Sequence, residues 1–254
     1  MHLNKKCFNI FFYSALITLT SLSIGCYNRS NVITSNSLEN NSPQEIIENS
    51  TPNNFKIISL GDSYTIGQSV CVSCRFPEQL KDSLIANFDE QDSFQLDIIA
   101  QTGWTTTNLL TAIEAYNPST DYDLVTLLIG VNNQYQGKPF STYESEFIEL
   151  VEVAVSLVRN DYSRLIVVSI PDYYFTPFGQ GSPAGYISGQ IDAYNLYAEN
   201  YCIENNLSYV YITDITREGI ENPDLVASDD LHPSELAYSR FVERILPIAI
   251  EKIQ

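Results

Sequence analysis

Along the chain, short apolar runs rich in β-branched residues alternate with longer stretches in which apolar residues recur every three or four positions. The runs are FKIISL (55–60), FQLDIIA (94–100), DLVTLLIG (123–130), RLIVVSI (164–170) and LSYVYI (207–212). Their near-continuous apolar character predicts strands covered on both faces. Between them, helical spacing predicts helices over about 75–88, 105–116, 142–160 and 189–205, with a last one over about 234–252. In the third of these, Phe147, Leu150, Val151, Ala154, Val155 and Val158 form one apolar stripe. Strand and helix in strict alternation require right-handed crossovers and a parallel sheet. The predicted class is therefore α/β, a three-layer α/β/α sandwich around a five-stranded parallel sheet. In such sheets the reactive groups gather at the carboxyl ends of the strands.

The pattern breaks down before residue 55. MHLNKK is a short basic start, and Cys7 to Tyr27 carries no charge. A cationic start, an apolar run and small residues after it predict a secretory signal peptide over residues 1–25. An uncleaved anchor is the alternative for a run of that length. SIGC, ending the run, resembles the lipobox of bacterial lipoproteins, with Cys26 as the lipidated first residue of the mature chain; Ser23 stands where the lipobox usually has an aliphatic. Residues 26–54 are rich in Asn and Ser and predict a flexible tether, with a reach of about 30 Å. The folded domain is expected over 55–254, outside the cytoplasm, membrane-tethered through an N-terminal lipid or else secreted.

Composition narrows the partners. The 254 residues carry a formal net charge of −18, and losing Lys5 and Lys6 with the leader deepens it to −20. That charge argues against nucleic acid and anionic lipid headgroups as binding surfaces. A small uncharged substrate is compatible with it. Of five cysteines, Cys7 and Cys26 belong to the leader region, which leaves Cys71, Cys74 and Cys202. These are too few for a disulfide scaffold.

Four segments just after predicted strands or near the C-terminus carry candidate chemistry. After the first strand, GDSYTIG offers Ser63, a turn or cap residue or else a nucleophile. After the second, AQTGW offers Gly103, a loop glycine or a close backbone approach to a ligand. After the third, LIGVNNQYQG offers Asn132, turn chemistry or an amide donor into a cleft. Near the end, SDDLHPSEL sets Asp229 three residues before His232, so that the carboxylate can fold back to Nδ1 and leave Nε2 as a base. The chain has two histidines, and His2 goes with the leader. Any histidine chemistry in the mature chain falls to His232.

In their order and spacing the four blocks resemble the SGNH hydrolases, the branch of the GDSL esterases and lipases named for a serine, a glycine, an asparagine and a histidine. GDSYTIG, LLIGVNNQY, SIPDYYFTPFG and IDAYN also look like a bacterial subgroup of that family. The resemblance spans about residues 55–250 and implies a flavodoxin-like fold, a catalytic Ser63–His232–Asp229 triad, and an oxyanion hole from Ser63, Gly103 and Asn132. It implies no metal or cofactor. Two positions depart from the family pattern: Asn133 replaces the aspartate of G-x-N-D, and Asp230 stands where glycine is frequent. The CVSC insert makes Cys71 and Cys74 candidates for a local disulfide in an oxidising compartment. A redox role and a zinc site fit the surroundings less well. Cys202, inside a helical pattern, reads as a buried small apolar residue.

By this resemblance the expected reaction is ester hydrolysis through an acyl-enzyme on Ser63, with Asp62 as a structural support of the serine turn. The aromatic, Gly- and Pro-rich segment PDYYFTPFGQGSPAGY is either a cleft wall or an ordinary packed loop, and with no obvious long apolar lid the favoured substrates carry short acyl groups, such as acetyl esters on carbohydrate. A lysophospholipase or thioesterase of the same family is the alternative substrate class. A non-catalytic lipoprotein that binds a glycan or protein partner is the alternative function.

Overall fold

The computed structural model describes residues 51–254. The predicted leader, Cys26 and the tether as far as residue 50 lie outside the described residues. Five strands form one all-parallel sheet: β1 (Asn54–Gly61), β2 (Ser93–Ala100), β3 (Leu124–Leu128), β4 (Leu165–Val168) and β5 (Ser208–Val210), in the order β2-β1-β3-β4-β5. Each of the five apolar runs becomes one of these strands. The helices are α1 (Ser63–Ile66), α2 (Phe76–Ile85), α3 (Thr106–Tyr116), α4 (Val131–Tyr135), α5 (Phe140–Leu157), α6 (Tyr186–Glu204), α7 (Thr213–Thr216) and α8 (Glu235–Ile253). The five long ones match the predicted helices to within a few residues. The three short ones escape periodicity because four or five residues hold little more than one turn.

The crossover from β1 to β2 steps one way along the sheet and every later crossover steps the other way. Right-handed crossovers therefore put α2 on one face and α3, α5 and α6 on the other. Helix α8 packs beside α2, which completes the three layers. The middle of the sheet is fully covered: Leu124, Val125, Leu127 and Leu128 of β3 are all buried. Each such side chain contributes roughly 1.5–3 kcal/mol on burial. Phe147, Leu150, Val151, Ala154 and Val155 form the buried stripe of α5. That helix ends sooner than its pattern suggests, because Arg159 and Asn160 adopt left-handed backbone, φ +59° and +62°.

Two features of the sheet bring the candidate residues within reach of one another. Its strand order reverses direction between β1 and β3, which opens a crevice beyond their carboxyl ends. The register then levels three strands, with Gly61 opposite both Ala100 of β2 and Leu128 of β3. Just past the end of β4, Asn195 of α6 bonds both backbone groups of Ile170. Its side chain accepts from the Ile170 N–H at 2.8 Å and donates to the Ile170 carbonyl at 3.1 Å. This accounts for the asparagine of IDAYN, which ties α6 to the chain as it leaves the sheet.

Candidate active site

At the crevice, a cavity of about 270 Å³ is lined by Ser63, Thr102, Gly103, Asn132, Tyr135 and His232, with Tyr64, Val131, Tyr173, Phe178 and Leu231 completing its walls. The four residues singled out after β1, β2 and β3 and before α8 thus meet at one surface, although 169 residues separate Ser63 from His232.

The serine turn is built on Asp62. Its Oδ1 accepts the Tyr64 N–H at 3.0 Å and its carbonyl accepts the N–H groups of Thr65 and Ile66, so it caps α1. Ser63 is then the first helical residue, where helix geometry leaves the N–H without an intrahelical acceptor. The turn closes at Gly67, φ +76°, whose N–H meets the Ser63 carbonyl at 3.1 Å. Gly61 is fixed by space, since a Cβ there would lie 2.4 Å from the Leu128 carbonyl oxygen and 2.1 Å from Thr65 Oγ1.

Asp62 also reaches across the crevice, where its Oδ2 accepts from Asn132 Nδ2 at 3.2 Å. Burial pushes the Asp62 carboxyl up to about 7, against the opposing hydrogen bonds from Tyr64 and Asn132. The amide of Asn132 is therefore aimed by the residue that also caps the serine turn. Gly103 has φ +85°, and a Cβ there would meet nothing within 4 Å; the glycine answers a backbone need, not a spatial one. Its loop is tied on both sides: Gln136 Nε2 donates to the Gly103 carbonyl at 2.8 Å, and Thr102 Oγ1 donates to Gln68 Oε1 at 2.6 Å.

Asn133, the departure from the family aspartate, is fully buried beneath this surface. Its Oδ1 accepts the Thr106 N–H at 2.9 Å and its Nδ2 donates to Thr106 Oγ1 at 2.6 Å. The Thr106 hydroxyl in turn donates to Glu146 of α5. One threonine hydrogen cannot serve two carboxylates, so an amide at 133 is what lets Glu146 keep its bond.

The histidine turn shows the tightest contacts. Asp229 Oδ2 lies 2.6 Å from His232 Nδ1, while Oδ1 accepts the N–H groups of Leu231 at 3.1 Å and His232 at 2.9 Å. The Ser69 hydroxyl adds a further bond of 2.6 Å to Oδ2. Burial pushes the Asp229 carboxyl up, but these bonds from Ser69, His232 and Leu231 outweigh it and hold it down at about 2. The Tyr64 ring packs against the imidazole at 5.3 Å between centroids, and the His232 carbonyl accepts the Ala227 N–H at 2.7 Å. No hydrogen bond joins the Ser63 hydroxyl to His232 among the described residues. Such pairs often tighten only around a substrate. Asp230 adopts φ +62°, a left-handed backbone that explains why glycine is frequent at this place in the family.

One wall is aromatic. Tyr135, Tyr173 and Phe178 contact one another with centroids 5.9, 6.1 and 6.4 Å apart. Tyr173 and Phe178 come from the segment after β4. Asp172, which bonds Arg217 at 2.9 Å, anchors that segment, and the Phe178 N–H meets the Asp230 carbonyl at 3.0 Å. Tyr186, from the same segment, lies elsewhere and lines a second cavity with Gln134 and Lys138. Sequence reasoning did not single out Tyr135 or Ser69. Tyr135 was accessible as the residue three beyond Asn132, on the same side of a helix; nothing in the pattern marked Ser69.

Cys71 and Cys74 are joined by a disulfide. Cys202 is free and buried, and burial, with Glu199 nearby, pushes its thiol up to about 12, so it stays protonated and inert. Among the described residues no group of three His, Cys, Asp or Glu side chains could hold a metal ion.

Residues 59–240 match the model of the GDSL-like lipase/acylhydrolase family. No curated protein matches the chain. Among solved structures, a lipolytic protein of the G-D-S-L family from Veillonella parvula shares 19% identity and a TM-score of 0.57, covering 78% of this chain and 97% of that one. A psychrotrophic esterase, EstA, from Pseudoalteromonas sp. shares 19% identity with a TM-score of 0.54, over 78% and 97%. An acetyl xylan esterase from Geobacillus stearothermophilus shares 17% identity with a TM-score of 0.53, over 78% and 95%. These likenesses concern the fold; the family match spans most of the chain and all four blocks. The chain belongs to the GDSL-like lipase/acylhydrolase family and is a carboxylic ester hydrolase.

Proposed function

We propose that the protein removes short acyl groups, acetyl esters on carbohydrate among them, through an acyl-enzyme on Ser63. The observation that carries this reading is the cavity shared by Ser63, Gly103, Asn132 and His232, with His232 Nδ1 held 2.6 Å from Asp229.

An acceptor at Nδ1 fixes the hydrogen there and leaves Nε2 free as a base. His232 takes the Ser63 proton as Oγ attacks the ester carbonyl, and Asp229 stabilises the imidazolium that forms. The carbonyl oxygen becomes an oxyanion facing the N–H groups of Ser63 and Gly103 and the amide of Asn132. One Asn132 Nδ2 hydrogen is engaged by Asp62, which leaves the other for the substrate. The proton passes from His232 to the departing alcohol as the tetrahedral intermediate collapses. Water then repeats the sequence, giving the free acid and regenerating the serine. Each oxyanion donor is worth about 2.7–4 kcal/mol of transition-state stabilisation.

The substrate class rests on the wall formed by Tyr135, Tyr173, Phe178 and Leu231. A cavity of about 270 Å³ with three rings along this wall suits a short acyl chain and offers ring faces to a sugar. The similar fold of an acetyl xylan esterase supports the same class. We further place the domain outside the cytoplasm. The leader-like start and the Cys71–Cys74 disulfide both support an oxidising compartment.

The test pairs hydrolysis with labelling. Wild-type protein is expected to hydrolyse p-nitrophenyl acetate and acetylated xylan oligomers and to react with a fluorophosphonate probe, and Ser63→Ala to do neither. Full activity in Ser63→Ala overturns the nucleophile. A folded wild-type sample that neither hydrolyses nor labels indicates a binding protein. Faster turnover of lysophospholipids or acyl thioesters overturns the substrate class alone.

A further inference from the structure

We infer that Ser69 is a positioning residue for the reaction, and that the Cys71–Cys74 disulfide keeps its hydroxyl on Asp229. The inference rests on the proposed Ser63–His232–Asp229 triad.

Asp229 accepts four hydrogen bonds, and three come from its own turn, from Leu231, His232 N and His232 Nδ1. The fourth, from Ser69 Oγ at 2.6 Å, crosses 160 residues of sequence and is the one that fixes the turn relative to the serine. Ser69 stands only six residues after Ser63. The intervening chain is wound onto the nucleophile, because the Ser63 carbonyl accepts the N–H groups of both Gly67 and Gln68, at 3.1 and 3.0 Å. A single short loop therefore carries the nucleophile at one end and the brace of its distant aspartate at the other.

The loop is unusual in its backbone. Ser69 has φ +67°, a region that non-glycine residues rarely adopt. Local sequence does not favour it, so neighbouring constraints must hold it there. Two are visible. The Cys71–Cys74 disulfide closes the chain two residues later, and Gln79 Nε2 of α2 donates to the Cys74 carbonyl at 2.5 Å and to the Glu235 carbonyl of α8 at 3.2 Å. Arg75 packs over Gly67, where a Cβ would lie 2.4 Å from Arg75 Cβ. The disulfide thus cross-links the short segment that runs from Ser69 into α2, beside the Gln79 bonds to Cys74 and α8. Cys71 is exposed and Cys74 half-buried, so a dithiol can reach the bond. Exchange with such a dithiol forms two cysteine thiols and leaves the reductant as a disulfide.

The Ser69 bond contributes more than any other to holding the Asp229 carboxyl low against the upward push of burial, and at 2.6 Å it is as short as the contact with His232 Nδ1. The contact lies at the surface, where water competes for it. A loss of about three- to tenfold in kcat, with KM changed less than twofold, is therefore expected when the hydroxyl goes.

The experiment uses four forms of the full chain: wild type, Ser69→Gly, Cys71→Ser with Cys74→Ser, and the triple variant. Glycine suits φ +67°, so Ser69→Gly removes the hydroxyl without demanding a disfavoured backbone. Turnover of p-nitrophenyl acetate is measured beside thermal midpoints. Opening the disulfide should slow the wild-type background about three- to tenfold and change the Ser69→Gly background less than twofold, since the second loss has nothing left to act through. Ser69→Asn, which tolerates left-handed backbone and offers an amide donor, should recover part of the rate. Wild-type kcat in Ser69→Gly overturns the positioning role. Equal losses on opening the disulfide in both backgrounds overturn the coupling. Neither result touches the nucleophile, which falls only if Ser63→Ala retains activity.

Discussion

Asn132 donates its side-chain amide to Asp62 across 3.2 Å, joining the residue before the candidate nucleophile to a candidate oxyanion donor in α4, beyond the end of β3. The same carboxylate caps α1 through Tyr64. Position of the serine and aim of the amide are therefore one variable. Asp62→Asn turns this acceptor into a side chain that must choose between the Tyr64 N–H and the Asn132 amide. The expected result is a fall in kcat of about ten- to a hundredfold on p-nitrophenyl acetate, with KM little changed. An unchanged kcat would mean that Asn132 is aimed by something else.

The same carboxyl predicts a pH dependence of stability. Burial raises Asp62 from the ordinary carboxylate range to about 7 in the folded chain. Between about 4 and 7 the folded state then holds a proton that the unfolded state has released, so this group's contribution is present below that window and lost as pH rises through it. Asp62→Asn has no such proton. Its thermal midpoint should gain on that of the wild type from pH 4 to 7, and the difference should level off above. A difference that is flat or moves the other way refutes the raised carboxyl.

Much of this architecture was legible beforehand because it is written in periodic patterns. Each apolar run became a strand, and the α5 stripe from Phe147 to Val155 points where its spacing said. The four candidate residues that line the cavity were picked out through a resemblance of separated blocks, not through any one local signal. What stayed hidden depends on non-periodic contacts. Ser69 meets Asp229 only because a left-handed residue turns the loop back, and Tyr135 reaches the cavity from a helix of five residues.

Restoring the family aspartate should harm this particular chain. In Asn133→Asp, two carboxylates compete for the one hydroxyl hydrogen of Thr106, so either Glu146 keeps only its bond from Thr107 or a buried oxygen of residue 133 faces the Thr106 hydroxyl with no hydrogen between them. A loss of about 1–3 kcal/mol in urea unfolding is expected. Adding Glu146→Gln supplies a donor and should recover most of it. If the two substitutions are simply additive, the threonine is not the shared link.

Adjacent acids at the histidine turn should separate cleanly. Asp229→Asn removes the charge facing Nδ1 and is expected to lower kcat strongly with the fold intact. Asp230→Gly relieves a left-handed backbone, φ +62°, and is expected to raise stability by about 0.5–1 kcal/mol while leaving kcat unchanged. Thermal unfolding and initial rates on the two variants decide this; a kcat loss in Asp230→Gly would give that carboxylate a part in orienting the imidazole.

The aromatic wall sets the last expectation. Tyr135→Ala removes the ring that meets both Tyr173 and Phe178. Preference along a series of p-nitrophenyl esters should move toward longer acyl chains, by about tenfold in the ratio of hexanoate to acetate kcat/KM. A constant ratio would show that the wall does not measure the acyl group.

The level ends of β1, β2 and β3 have a consequence for how such a protein can vary. From Gly61, Ala100 and Leu128 the chain travels two, three and four residues to Ser63, Gly103 and Asn132. Adding or deleting one residue in any of these links moves a cavity-lining residue by up to about 3.3 Å, more than a hydrogen bond tolerates. Segments at the opposite rim of the sheet, including the approach to Asn54, carry no such constraint. The chain before Asn54 can therefore lengthen or shorten while the tip of the sheet keeps its spacing.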